Sequence, residues 1–450
     1  MYYDNEAIKD TDHKFLVWSR QMNEHVARLI NKVTTRYGVT AQPNFYSNGS
    51  FNFCYKVRVD DGFEILFRFP ILGKSSFRYE KTNDECHILI YLSRYTTIPI
   101  PEILATENTS LGPFIAMRFV TESLLSERLR IPNSEGRAFL DPNINIQVLM
   151  KAYGNMAQIL LELSKCRFAQ IGGLIRDDSK NWRIGKRAWT LNMNELISGA
   201  NCPPHALSRQ AFPTANDYFT ALAEDHITHL RTQRNDAVDD ENDCRKKYIA
   251  RHLFRIIARK FSSSYNHGPF PLFCDDLRPS NVIVDADLNV QSVIDWEYCY
   301  AAPVEFTYCS PWWLLLARPE DFEQGYEWFS EQYLPRHELF LKVLRERENE
   351  AIQRNDLFES QRLSNGMAKS LENGHFWFCL AATSSFEFDD IYWRFIDPVY
   401  YGEFTSLDDR LALLSQDEQN ALEPFVSMKM EQALERKLDE HRDVMQVLND

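Results

Sequence analysis

No apolar run in this chain reaches the roughly 18 residues a helix needs to cross a bilayer, so no stretch reads as a membrane span. The opening residues, MYYDNEAIKDTDHK, are polar and acidic, lacking both the apolar block of a secretory leader and the arginines of a transit peptide. CxxC pairs are missing too: the 9 cysteines are scattered, odd in number and irregularly spaced. That pattern argues against a disulfide framework and reads as reduced thiols in a cytoplasmic protein, with the nucleus also open. Basic residues are outnumbered, 50 against 64 acidic, and a formal net charge of -14 disfavours nucleic acid as a partner. A cationic or neutral small molecule is easier to accommodate. There is no internal repeat and no low-complexity segment. What remains is 450 residues with 44% hydrophobic and 13% aromatic content, enough for two packed lobes.

The periodicity of apolar residues sketches those lobes. Phe15, Met22, Val26, Leu29, Ile30 and Val33 fall at helical spacing, predicting an amphipathic helix over Phe15–Tyr37. Two strands follow, Ser50–Val59 and Phe63–Pro70, with Asp61-Gly62 as their hairpin signal. A helix over Tyr79–Tyr95 leads through Ile98-Pro99-Ile100-Pro101 to a second hairpin, Ile103–Glu107 and Phe114–Val120, turned near Gly112-Pro113. Beyond it the pattern is mainly helical: Ile144–Cys166, Tyr248–Phe261, Pro319–Arg345, Phe376–Trp393 and Leu407–Met445. Residues 168–245 are polar and broken by prolines, and the cluster Asp236, Asp239, Asp240, Glu241 and Asp243 reads as a solvated loop. Strands with one helix, followed by helices, give an α+β fold with an α+β lobe ahead of a helical one.

Chemistry concentrates in Leu272–Glu297, LFCDDLRPSNVIVDADLNVQSVIDWE. Two short apolar strands, Val282–Asp285 and Val290–Ile294, turn at Ala286-Asp287 and hold Asn281 and Asp295 at neighbouring ends; Asp276 stands five residues before Asn281. Phosphoryl transfer asks for these parts: a carboxylate that orients the attacking hydroxyl, and an amide with a second carboxylate to hold magnesium, a hard ion that prefers oxygen. Asp276 is therefore the candidate catalytic residue, and Asn281 and Asp295 the candidate metal ligands. Asp275, Arg278 and Glu297 are further charges beside the site, open to substrate contact, though loop hydrogen bonding also accounts for the carboxylates. Cys274 reads as a buried structural thiol. His267, seven residues away, is the base a nucleophilic cysteine would need.

The run Cys274-Asp275-Asp276-Leu277-Arg278-Pro279-Ser280-Asn281, with Ile294-Asp295-Trp296-Glu297 after it, resembles the catalytic and metal loops of the aminoglycoside phosphotransferase family, His-Gly-Asp-Leu-His-Pro-x-Asn and Ile-Asp-Trp/Phe-Glu. Ile171-Gly172-Gly173-Leu174, Pro311-Trp312-Trp313-Leu314-Leu315 and Gly374-His375-Phe376-Trp377-Phe378 are similar to blocks of its fungal branch, so the resemblance covers about residues 45–400. It implies a bilobal protein-kinase-like fold: a small N-lobe with an antiparallel sheet and a larger, mainly helical C-lobe. The expected division is 1–120 for the N-lobe with its leading helix, 121–400 for the C-lobe, and 401–450 for a helical extension.

In such a fold the N-lobe binds nucleotide, and the resemblance implies ATP and Mg2+ as cofactors. Ser47, Asn48, Gly49 and Ser50, immediately before a strand of the first hairpin, would bring backbone amides to phosphates, although taken alone they read better as a plain turn. Arg68 stands where such folds keep a lysine; as a planar permanent cation it can grip phosphate oxygens, or it is simply a strand cation. Glu85, on the next helix, would pair with it. Met117, Phe119 and Val120 would form the hinge that meets adenine. The implied activity is transfer of the ATP γ-phosphoryl group to a hydroxyl of a small molecule. The missing catalytic-loop histidine and Arg68 in place of lysine keep a nucleotide-binding pseudokinase open. A protein kinase fits less well, because Trp296-Glu297 stands where Phe-Gly would and no Ala-Pro-Glu segment follows.

Overall fold

Period-two alternation builds the first lobe. The computed structural model describes residues 1–37, 43–59 and 63–440. Helix α1 (Asn5–Thr34) precedes strands β1 (Asn44–Asn48), β2 (Asn52–Arg58) and β3 (Glu64–Pro70), helix α2 (Arg78–Tyr95), and strands β4 (Ile103–Thr109) and β5 (Gly112–Arg118). The strands form one antiparallel sheet in the order β1-β2-β3-β5-β4. Along β3, Ile65, Phe67 and Phe69 are buried against α1, together with Phe53, Tyr55 and Val57 of β2. The intervening Leu66 faces α2, where Cys86, Ile115 and Met117 collect. Arg68 shares that second face and so looks into the cleft rather than into the α1 core.

Helix α1 starts at Asn5 rather than Phe15, because the Asp4 side chain accepts hydrogen bonds from the Glu6 and Ala7 amides and caps a polar first turn. Its seam of Trp18, Met22, Val26, Ile30 and Val33 covers the sheet, and the Trp18 indole donates to the Leu111 carbonyl at 2.8 Å. Burying each such side chain stabilises the lobe by about 1.5–3 kcal/mol. The start of α1 docks elsewhere: the Asp4 amide donates to Gly199 and the Thr11 hydroxyl to Ser198, both in the second lobe. One helix thus ties the lobes together. The Asp61-Gly62 turn lies outside the described residues. The second hairpin turns at Ser110-Leu111, not Gly112-Pro113. Gly112 is the first residue of β5 at φ +107, and a side chain there would collide with the Arg78 guanidinium that braces the turn.

The second lobe begins with strand β6 (Ser123–Leu124) and helices α3 (Leu125–Leu129) and α4 (Ile146–Lys165). Strands β7 (Arg167–Phe168), β8 (Gly173–Arg176) and β9 (Trp182–Lys186) follow, then helices α5 (Leu191–Ala200), α6 (Ala215–Thr232) and α7 (Glu241–Ala258). Residues 168–245, read from the sequence only as polar and broken by prolines, hold a hairpin and two helices. They escape an apolar-period reading because they bury polar side chains, among them Asn192, Asn194, Asp225, His226 and His229. Of the acidic cluster, Asp240 caps α7 through the Asp243 amide, and Asp236 pairs with Arg436 at 2.6 Å. Gly172 (φ +150) bridges to Ala301, and a Cβ there would press on the Lys186 carbonyl.

Strands β10 (Phe270–Cys274), β11 (Val282–Val284), β12 (Val290–Val293) and β13 (Cys299–Ala301) carry the loops of interest and pack on α4. The remaining helices, including Gly325–Gln353 and His375–Ala382, complete one continuous core. Trp313, Leu314, Phe376 and Phe378 belong to it. Two predicted helices are interrupted: Phe376–Trp393 breaks after Ala382, and Leu407–Met445 breaks where Ser415 caps a new helix over Gln416–Glu435. The architecture is a bilobal α+β fold, with an antiparallel sheet and its helices in the first lobe and a mainly helical second lobe. No helix among the described residues is long and apolar enough to cross a membrane.

Candidate active site

Register, not proximity in sequence, assembles the cleft. Pairing of Val282 with Val293 puts Asn281 and Asp295 just beyond neighbouring strand ends, and the Ile294 amide donates to the Asn281 carbonyl at 2.8 Å. Between β10 and β11 the chain makes a tight loop in which the Leu277 amide bonds to Cys274 and the Asn281 amide to Arg278. The Asn281 side-chain Nδ2 donates to the Asp276 carbonyl at 2.7 Å. That bond commits the nitrogen and leaves the amide oxygen as the atom able to ligate. The Cys274 thiol lies 3.9 Å from the Asp295 carbonyl and so links the two loops. Cys299 beside it, together with burial, pushes this thiol well up, which removes it as a nucleophile.

Asp295 itself sits at φ +59, a left-handed conformation rare for a residue with a side chain and common at functional sites. One of its oxygens meets Arg68 Nη2 at 2.6 Å, while Arg68 Nη1 meets Glu85 at 2.6 Å. The pairing of Arg68 with Glu85 suggested by the sequence is thus present, and it extends across the cleft. Arg68 is 6% exposed. Burial opposes its charge, but Glu85, Asp295 and Glu297 outweigh burial and hold the guanidinium well above its usual range. Glu85 is pushed up by burial, with Glu297 and Asp295 adding to the effect against the pull of Arg68.

Sequence reasoning missed Lys81. Its ammonium lies 2.7 Å from Glu297 and it is 1% exposed. Glu297 also accepts from Asn52 Nδ2 at 3.0 Å and stands 3.7 Å from Arg68. Burial disfavours the charge of Glu297, yet Lys81 and Arg68 more than offset it and hold this carboxyl below its usual range. The helical offset Lys81-x3-Glu85 was the available signal: both residues share one face of α2. The cluster thus counts two cations against three carboxylates.

Asp276 faces the other side of the loop. Burial raises its carboxyl, partly countered by Arg278, whose Nε lies 3.2 Å away without a well-aligned hydrogen bond. Asp275 is engaged internally: one oxygen accepts from the Leu191 amide and the other from the Tyr300 hydroxyl, both at 3.0 Å. Its place is the loop hydrogen-bonding one. Glu297 belongs to the Arg68 cluster and not to the Asp276 side.

Ser47 and Asn48 end β1, and Gly49 and Ser50 lie in the β1–β2 turn, closed by the Gly49 amide on the Asn52 carbonyl; Asn48, Gly49 and Ser50 are exposed. Phe51 below them packs edge-on against Tyr298. Of the hinge residues, Met117 is buried against Cys86 and Ile115, and the Phe119 amide is already given to the Glu64 carbonyl. Phe119 therefore keeps only its carbonyl for a ligand; Val120, next to it, is half-buried.

The donor set suits a divalent cation. Asn281 and Asp295 stand at neighbouring strand ends with oxygen donors, and the cluster's surplus of one negative charge favours added positive charge. No group of three or more His, Cys, Asp or Glu among the described residues is arranged for a metal, so such an ion would draw its other ligands from substrate or water.

No protein-family model and no curated protein matches the chain. Among solved structures it is similar to a macrolide 2'-phosphotransferase type I, at 13% identity over 82% of this chain and 96% of that one, with a TM-score of 0.39. It is also similar to a GDP complex of an aminoglycoside 2'-phosphotransferase-IIIa mutant (14%, 90% and 97%, TM-score 0.39). A third is a macrolide 2'-phosphotransferase from Brachybacterium faecium (10%, 84% and 99%, TM-score 0.38). At such distances the chemistry has to be read from this chain's own residues.

Proposed function

We propose that the protein is a small-molecule kinase that transfers the γ-phosphoryl group of ATP to a hydroxyl of its acceptor. The observation that carries this reading is the continuous ion chain Glu85–Arg68–Asp295, which joins the first-lobe sheet to the loop pair holding Asp276 and Asn281. Asn281 and Asp295 would hold magnesium, which when bound neutralises phosphate oxygens. Arg68, fixed by Glu85, presents a charge that does not need to reorganise during the reaction. Of residues 47–50, whose Gly49 amide is already given to Asn52, the exposed Ser50 would present its backbone amide to phosphate. Asp276 orients the acceptor hydroxyl at its carboxylate oxygen and accepts its proton late, since a loose transition state asks for positioning before deprotonation. Arg278 beside it counters the effect of burial on this carboxylate.

One observation favours a second reading, a nucleotide-binding scaffold without turnover: Arg68 already has three carboxylates within 3.7 Å, leaving its fork heavily occupied. Following ADP release with ATP and magnesium across a panel of hydroxylated amines, sugars and antibiotics separates the two. Acceptor-dependent ADP release supports the kinase. Nucleotide binding with no release across the panel supports the scaffold.

A further inference from the structure

The ion network continues beyond the residues that the nucleotide reading uses. Lys81 on α2 donates to Glu297 and, at 2.9 Å, to the Ser75 hydroxyl, and its ammonium is flanked by the rings of Phe51 at 5.3 Å and Tyr298 at 5.5 Å. Glu297 is thereby a hub between elements distant in sequence. It accepts from Asn52, where the β1–β2 turn enters β2, it approaches Arg68 of β3, and it is held by α2. Its own backbone continues directly from the Asp295 loop.

A planar guanidinium can serve two carboxylates well but not three. Without Lys81, the buried Glu297 would compete with Glu85 and Asp295 for Arg68, and an uncompensated buried carboxylate is costly. With Lys81 in place, Arg68 stays 3.7 Å from Glu297 and 2.6 Å from the other two. We propose that Lys81 is a positioning residue of the nucleotide site. By neutralising Glu297 it reserves the Arg68 fork for Glu85 and Asp295 and keeps Asn52, at the base of the exposed turn, anchored to the Asp295 loop. Lys81 acts through Glu297 and touches neither phosphate nor acceptor. The inference rests on the nucleotide reading of the cleft.

Three variants test it in the full-length protein: Lys81→Met, Lys81→Arg, and the double Lys81→Met/Glu297→Gln, in which both charges go and the Asn52 contact can remain. Folding is checked by circular dichroism and melting, and affinity for ATP with magnesium is measured by titration calorimetry. Lys81→Met should weaken binding about tenfold or more. Lys81→Arg should stay near wild type, and the double variant should recover most of the loss, a coupling of the kind double-mutant cycles read. A folded Lys81→Met protein that binds like wild type overturns the inference alone. So does a double variant at least as impaired as the single one, because the defect then does not pass through the Glu297 charge. A wild type that binds no nucleotide overturns the reading of the cleft, and the inference with it.

Discussion

The two sides of the cleft treat their charges in opposite ways. On the first-lobe side, Arg68 pairs with Glu85 and Asp295 at 2.6 Å and Lys81 with Glu297 at 2.7 Å, the two groups meeting where Arg68 stands 3.7 Å from Glu297. Around Asp275 and Asp276, buried Tyr298 Oη and Arg278 Nε stand without hydrogen-bond partners. The carboxyls differ in the same way. Glu297 is held down by its cations, whereas Asp275 is pushed up to about 6 and Glu195 to about 7, in both cases chiefly by burial. Buried polar groups are normally satisfied, so a cluster of exceptions marks a place where a ligand completes the bonding. One side is finished before anything binds. Under the proposed function, the acceptor would complete the other.

The strongest way to break this contrast is Asp276→Asn. It should leave ATP affinity within a few-fold of wild type and reduce turnover with a responding acceptor by about 10²-fold or more, since the carboxylate acts on the hydroxyl and not on the nucleotide. Steady-state kinetics beside calorimetry read the two effects separately; equal loss in both would erase the division between the sides. Next in size, Arg68→Met should destabilise the protein by about 3–5 kcal/mol, because it strands Glu85 and crowds the surplus charge; denaturant titration measures this. A cost below about 1 kcal/mol would mean that the network is not finished in advance.

A smaller effect sharpens the role of α2. Arg187, which follows β9, makes a two-point contact with Glu80 at 2.6 and 3.0 Å and covers the Phe77 ring at 4.4 Å. Lys186 pairs with Asp84 one turn further along the same helix. Arg187→Ala should therefore lower stability by about 2 kcal/mol and weaken nucleotide binding only indirectly. Thermal melting with and without ATP reads both.

The smallest effect is pH-linked. Because the folded-state value of Glu195 is raised to about 7 from 4.5, the folded protein binds this proton more tightly than the unfolded chain. Its stabilising contribution is full below pH 4.5, is lost as pH rises toward 7, and stays lost above. Glu195→Gln should then raise stability above pH 7 by about 1–2 kcal/mol and flatten the slope between the two values. Melting temperatures across that range check it; a stabilisation confined to acid pH would reverse the sign.

Much of the fold was legible because its signals are local. Alternation in Glu64–Pro70 and the compact Asp276–Asn281 loop fall within a few residues, and turn chemistry fixes them. The second hairpin turn was displaced because Arg78, from a different element, decides where Gly112 is needed. Helices α5 and α6 went unread because they bury amides, histidines and a carboxylate among their apolar residues, which blurs the helical period. The Lys81–Glu297 contact joins residues far apart in sequence, one in each lobe, and no periodicity encodes it. Arg68 and Glu85 could be paired in advance because the family resemblance assigns a strand cation and a helix glutamate to those places, and the structure brings them to 2.6 Å.

The account stands most directly on Asp295, which ties the finished side of the cleft to the candidate metal position. Titration calorimetry of wild type and a folded Asp295→Ala variant with ATP, each with and without magnesium, tests it. We expect magnesium to strengthen ATP binding to the wild type and to have little effect on the variant. A folded Asp295→Ala protein whose ATP affinity responds to magnesium as the wild type does would contradict the account.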